Sequence, residues 1–187
     1  MENTPVTPHL FEQQIASETV YDGKILHVTR DTVRLENGDE ATREVIHHPG
    51  GACVVPLTEH GTVLMVKQFR YPHAEETLEL PAGKLEYGEN PLTCAERELR
   101  EEAGATAEVL EPLGCLYPTP AYDKEIIYMY LARNINRSGT QDLDEDEFLD
   151  VTELPLSEAV QMVMDDKIRD AKTQIALLKA AAMLKKS

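Results

Sequence analysis

The residues with the most chemical potential in this chain are three glutamates, Glu98, Glu101 and Glu102, in the run Ala95-Glu-Arg-Glu-Leu-Arg-Glu-Glu-Ala103. On a helix, spacings of three and four residues stack these carboxylates on one side, where like charges repel. They also fall in its last turns, where the helix dipole disfavours an anion by roughly 0.3 kcal/mol or more. Two local rules are broken together, as happens at functional sites, and a divalent cation converts such repulsion into ligation. The donors are all oxygens and the run holds no histidine, so magnesium or manganese suits it better than zinc. Cys94, one turn before Glu98, reads as a small apolar residue. Taken alone, the helix is equally compatible with a solvated acidic face on an acidic protein.

The positioning elements can be read around it. Asn90 is suited to cap free amides, Pro91 to open a helix and Gly104 to end it in the left-handed conformation, which predicts a helix over Pro91 to Ala103. Leu92, Ala95, Leu99 and Ala103 form its expected apolar stripe. Upstream, GACVVP and TVLMVKQFR are β-rich runs joined at Glu59-His60-Gly61, apolar enough to be central strands covered on both faces. TLELPAG reads as a short strand ending at Pro81 and Gly83. ATAEVLEPLGCLY, EIIYMYLARNI and FLDVTEL are further strands. Two helices close the chain, from Leu156 to about Lys167 and after Asp170, the latter with Ile175, Leu178 and Ala182 expected on its packed face. This order implies an α/β fold, a sheet sandwiched between helices. Residues 17–48 read as a small antiparallel β layer with a turn at Asn37-Gly38, and residues 1–16 as a loosely held arm.

Composition narrows the function. The chain has 187 residues, 42% hydrophobic, with 34 acidic against 18 basic side chains and a formal charge of −16. That excess repels nucleic acid and anionic membrane surfaces, yet leaves room for a small phosphorylated substrate where bound cations reverse the local potential. Cys53, Cys94 and Cys115 are scattered, without paired metal-ligand spacing, and the N-terminus lacks an apolar stretch, so a reduced, cytoplasmic protein is expected. No apolar run approaches the roughly 20 residues needed to span a bilayer.

The segment from Gly83 to Ala105, GKLEYGENPLTCAERELREEAGA, resembles the Nudix box, with Gly83, Glu89, Arg97, Glu98, Leu99, Glu101, Glu102 and Gly104 at the required spacings. Ala105 departs from it, standing where the family has a larger aliphatic residue. The resemblance implies a Nudix fold, an α/β/α sandwich around a mixed sheet, with residues 49–187 as the catalytic domain. It also implies hydrolysis of a nucleoside diphosphate linked to another group. Carried over, Glu98 and Glu102 are the principal metal ligands, Glu101 is a shared ligand or one that supports them from outside, and the carbonyl of Ala82 completes the cluster. Arg97 orients glutamates such as Glu89. QFRYP, LELPAGK and Tyr117-Pro118-Thr119-Pro120 resemble the ADP-ribose pyrophosphatase branch, with Pro120 placed 16 residues after Gly104. Ala121 replaces the glycine common after that proline, which leaves the shape of that loop and the sugar preference open.

The acidic stretch Glu145-Asp146-Glu147-Phe148-Leu149-Asp150-Val151 resembles that branch's catalytic loop, with Glu145 as the base and Glu147 as an extra ligand. Five acids in the six residues Asp142 to Glu147 also fit a solvated charge run. Arg70 is a candidate for holding phosphate through its planar fork or, alternatively, a surface ion pair. Glu79 is a candidate for contacting metal or ribose, or a buried paired strand residue. His47 and His48 are adjacent and face opposite ways, so they do not share a metal. By resemblance, the β layer pairs two copies of the chain into a homodimer. The leading expectation is magnesium-dependent cleavage of ADP-ribose to AMP and ribose 5-phosphate. The alternatives are a hydrolase of another nucleotide sugar, such as GDP-mannose, and a non-catalytic sensor of such a compound.

Overall fold

The computed structural model describes residues 9–137, 139–143 and 147–185. Among the described residues, no helix is long and apolar enough to cross a membrane. The chain divides into two units, residues 1–48 with 119–125, and residues 49–118 with 126–187.

The first unit is an antiparallel sheet of β1 (Gln13–Asp22), β2 (His27–Arg34) and β3 (Glu40–His47), in that order. β1 begins inside the segment read as an arm. Gln13 and Gln14 pair with Arg34 and Val33, and Gln14 also donates to the buried Asp31 carboxylate at 3.0 Å, beside Ser17 at 2.6 Å. These polar contacts hold residues that have no apolar periodicity, which is why the pattern did not show the strand. Residues 119–125 join the unit at Ile46, whose amide donates to the Tyr122 carbonyl at 2.7 Å.

The second unit holds two sheets. One has the order β10 (Leu149–Pro155), β5 (Thr62–Arg70), β6 (Glu75–Glu79); the other has β7 (Ala82–Lys84), β4 (Gly51–Pro56), β9 (Ile127–Arg137), β8 (Ala105–Leu116). All pairings are antiparallel except β4 with β9. β4 and β5, consecutive in sequence, each occupy the interior of a different sheet. TLELPAG is not one strand: β6 ends at Glu79, and after Leu80 and Pro81 the chain starts β7 at Ala82, which pairs with Cys53.

Every residue of β4 is buried, and its alternation sorts two cores. Cys53 and Val55 face a core containing Ala159 and Val163 of α2 (Leu156–Met164) and Ala176, Leu177 and Ala180 of α3 (Ala171–Leu184). Ala52 and Val54 face another, containing Cys94, Ala95, Leu99 and Ala103 of α1 (Pro91–Ala103). This is the expected α/β/α arrangement with a mixed sheet. Two expected helix faces shift. On α1, Leu92 is exposed and Cys94 takes its place in the core. On α3, Ile175, Leu178 and Ala182 point outward and Thr173, Ala176, Leu177 and Ala180 are buried. Alanine-rich stretches let either face look apolar; the hydrogen bond from Leu80 N–H to Thr173 Oγ1 at 2.9 Å fixes which one packs.

Candidate active site

The first turn of α1 forms because Asn90 accepts the Leu92 amide at 2.9 Å through its side chain, with Pro91 supplying a pre-set φ. Gly104, at φ 58°, closes the other end and returns its amide to the Arg100 carbonyl. The helix therefore starts and stops where its glutamates need it to.

Glu98 and Glu102 lie on the packed side of α1, 8% and 2% exposed. β7 passes directly over them. A Cβ on Gly83 would overlap the Glu98 carboxylate, so a larger residue there would push that side chain out of its present place. One residue earlier, the Ala82 amide donates to Glu102 Oε2 at 2.8 Å.

Arg97 ties the rest together. Its Nε and Nη2 donate to Glu89 at 3.0 and 3.2 Å, its Nη1 to Glu98 Oε1 at 2.6 Å and Glu101 Oε2 at 3.0 Å, and its Nη2 also to the Lys84 carbonyl at 3.1 Å. Arg97 thereby orients three carboxylates, and it holds the Glu89 carboxyl below its ordinary range. Arg100 takes the other oxygen of Glu101 at 2.7 Å.

Among the described residues, no cation is in hydrogen-bond contact with the Glu102 carboxylate. Burial, only partly countered by the Ala82 amide and the more distant charge of Lys172 and reinforced by the charges of Glu98 and Glu147, pushes its carboxyl up to about 8. Burial also raises Glu98, against the pull of Arg97 and with Glu101 and Glu147 adding to the rise. Glu147 thus lies close enough to be felt by both. Among the described residues, no three ligating side chains are gathered into a closed metal cluster. What the structure brings together is a buried pair, Glu98 and Glu102, with Glu147 nearby and Glu101 turned to two arginines. Two adjacent buried carboxylates that lack enough positive charge, presenting oxygen alone, fit a hard dication.

A second cluster surrounds Glu79, 2% exposed at the end of β6. Arg70 grips it side-on, Nε to Oε1 at 2.7 Å and Nη2 to Oε2 at 2.6 Å. Thr77 donates to Oε1 at 2.6 Å and Lys172 to Oε2 at 2.5 Å. Although burial raises it, these partners hold Glu79 down at about 2. Arg70 and Glu79 are therefore each other's partners, as the plainer reading of both residues has it, and they line a cavity of about 370 Å³ with Thr77, His73 and Arg169. Lys172, 93 residues from Glu79, carries no sequence signal for this role.

Pro120 sits in an exposed turn of the other unit. Glu145 lies outside the described residues. His47 contacts Thr29 and His48 pairs with Glu125, so the two histidines have separate partners.

Comparison with known proteins bears on the whole chain. The NUDIX domain matches residues 47–176, and the nucleoside diphosphate sugar hydrolase N-terminal domain matches residues 12–46. An ADP-ribose pyrophosphatase of Bacillus subtilis (strain 168) is 40% identical over 90% of this chain and 91% of its own. A methanol dehydrogenase activator of Bacillus methanolicus is also 40% identical, over 90% and 92%. A GDP-mannose pyrophosphatase of Yersinia enterocolitica serotype O:8 is 36% identical over 72% and 75%. The fold is shared with a crystal structure titled ADP compounds hydrolase, at a TM-score of 0.83, 22% identity and coverage of 96% and 98%.

Proposed function

The chain belongs to the Nudix hydrolases, and on that premise we propose that it cleaves the diphosphate bond of ADP-ribose to give AMP and ribose 5-phosphate. Relatives of equal identity carry names as different as a pyrophosphatase and a dehydrogenase activator, so similarity alone does not select the reaction. ADP-ribose as the substrate is supported by relatives named ADP-ribose pyrophosphatase at 40% and 37% identity; what favours hydrolysis over sensing is the buried pair Glu98 and Glu102, whose carboxyls are raised by burial and by neighbouring acids. A sensor has no use for that cost.

In this reading Glu98 and Glu102, with Glu101, Glu147 and the carbonyl of Ala82, hold Mg²⁺, or Mn²⁺ in its place. Such ions supply Lewis acidity at the phosphate oxygens and lower the pKa of water. Arg97 keeps the glutamates aimed, which outer partners of a metal site do for its ligands. Glu145 accepts the proton of the attacking water. Arg70, with Glu79 fixing its orientation, receives a phosphate oxygen, and Pro120 shapes the substrate loop. The β layer joins two copies; β1 is exposed along its whole length, with Ile15, Val20 and Tyr21 among the uncovered side chains, and sedimentation at rising concentration would reveal the dimer. The free thiols of Cys53, Cys94 and Cys115 suit the reducing cytoplasm.

The test is product identification with Mg²⁺ present and absent across ADP-ribose, GDP-mannose and related nucleotide sugars. AMP and ribose 5-phosphate, formed only with metal and preferentially from ADP-ribose, support the reading. Tight binding of ADP-ribose without products would make the chain a sensor. Glu145→Gln should bind substrate normally and lose most turnover; full turnover would move the base elsewhere.

A further inference from the structure

One charged group near the site has no part in the chemistry above. Lys172 opens α3, and its side chain is only 13% exposed. Its ammonium donates to Glu79 Oε2 at 2.5 Å and to Asp170 Oδ1 at 2.9 Å. A buried carboxylate needs one counter-charge, and Glu79 already has Arg70. With Thr77 included, the two oxygens of Glu79 accept four donors, their full capacity. The second cation therefore changes what Arg70 has left to give. Arg70 spends Nε and Nη2 on Glu79, which leaves Nη1 outside that pair, and the residue lines the cavity of about 370 Å³.

The surroundings make the charge count matter. In a chain of formal charge −16, the groups around this cavity balance: Arg70, Arg169 and Lys172 stand against Glu75, Glu79 and Asp170. The lining itself carries Arg70 and Arg169 against Glu75, Glu79 and Asp170; Lys172, bonded to Glu79 and Asp170 outside the lining, supplies the third positive charge, and without it Arg70 is wholly committed to neutralising Glu79.

We propose that Lys172 is a positioning residue for substrate binding: by neutralising Glu79 from behind, it leaves the guanidinium of Arg70 available to an anionic phosphate group. The inference rests on the reading of Arg70 as a phosphate ligand. Lys172 itself does not touch substrate.

The test compares steady-state kinetics of the full chain with ADP-ribose and saturating Mg²⁺. Lys172→Met should raise KM by about tenfold, the scale of one lost charge-assisted contact, with kcat near the parent value. A merely structural role reads differently: loss of folded protein lowers apparent kcat and leaves KM where it was. Lys172→Arg, which keeps the charge, should restore KM towards the parent. In Lys172→Met/Asp170→Asn the count around the cavity balances again and KM should fall back, while asparagine still caps α3 in place of the Asp170 carboxylate that accepts the Thr173 amide. Should Lys172→Met not fold, Asp170→Asn alone decides: it leaves the wall one charge more positive and should lower KM. An unchanged KM in Lys172→Met, or in Asp170→Asn where that variant stands in for it, overturns the inference if Arg70→Ala raises KM. If Arg70→Ala leaves KM unchanged, the reading of Arg70 has failed first and the inference falls with it.

Discussion

Glu79 and Glu102 are both glutamates, both 2% exposed, yet their carboxyls lie at about 2 and about 8. Burial raises both. The difference is supply. Glu79 is met by a guanidinium, an ammonium and a hydroxyl, whereas Glu102 is met by one backbone amide, feels the same ammonium only at a distance and faces two other acids. A carboxylate with all its partners in place is part of the scaffold; in the proposed function, one left short of positive charge is where a cation would bind.

Neutralising each acid in turn should separate the two roles most sharply. Glu102→Gln is expected to lose more activity than the roughly 100-fold that the outer partners of a metal site cost, while melting no lower than the parent in chelator at neutral pH, because a carboxyl raised to about 8 is already mostly neutral there and the amide replaces it in kind. Turnover assays and calorimetric melting in EDTA check both halves. Chelation alone should abolish activity in the parent, and Mg²⁺ should restore it. Glu79→Gln should instead strip two cations of their partner and cost about 3 kcal/mol, read from urea denaturation at neutral pH.

Acid should then erase that second effect. The folded-state value of Glu79 lies below its ordinary value of 4.5, so the stability it brings is fully present above about pH 4.5 and is lost as pH falls towards about 2. The stability gap between the parent and Glu79→Gln should narrow across that window, and a gap that stays constant would show the carboxyl to be unperturbed. The smallest effect expected is from Asn90→Ala, about 1 kcal/mol from the lost cap of α1, with the metal response retained.

The α1 site was legible in the sequence because its information is local. Asn90, Pro91 and Gly104 mark the ends of the helix, and spacing made Glu98 and Glu102 candidates that the resemblance to the Nudix box then singled out. Glu79 was visible as a candidate, but its partner was not: Lys172 reaches it from α3, a contact that no pattern in either segment encodes. The start of β1 was hidden for a related reason, since Gln14 and Ser17 are held by the buried Asp31 and not by apolar alternation. The outward faces of α3 were misread where alanines make opposite sides look alike. The structure thus adds most where a side chain's environment comes from residues far along the chain.

The placement of the cysteines has a practical use. Cys53 and Cys94 are buried, and burial pushes both thiols up to about 12, whereas Cys115 is exposed on β8. At neutral pH an alkylating dye therefore meets a single reachable sulfur in each folded chain. One fluorophore per polypeptide, attached without mutagenesis, would let energy transfer between two labelled copies report their association directly.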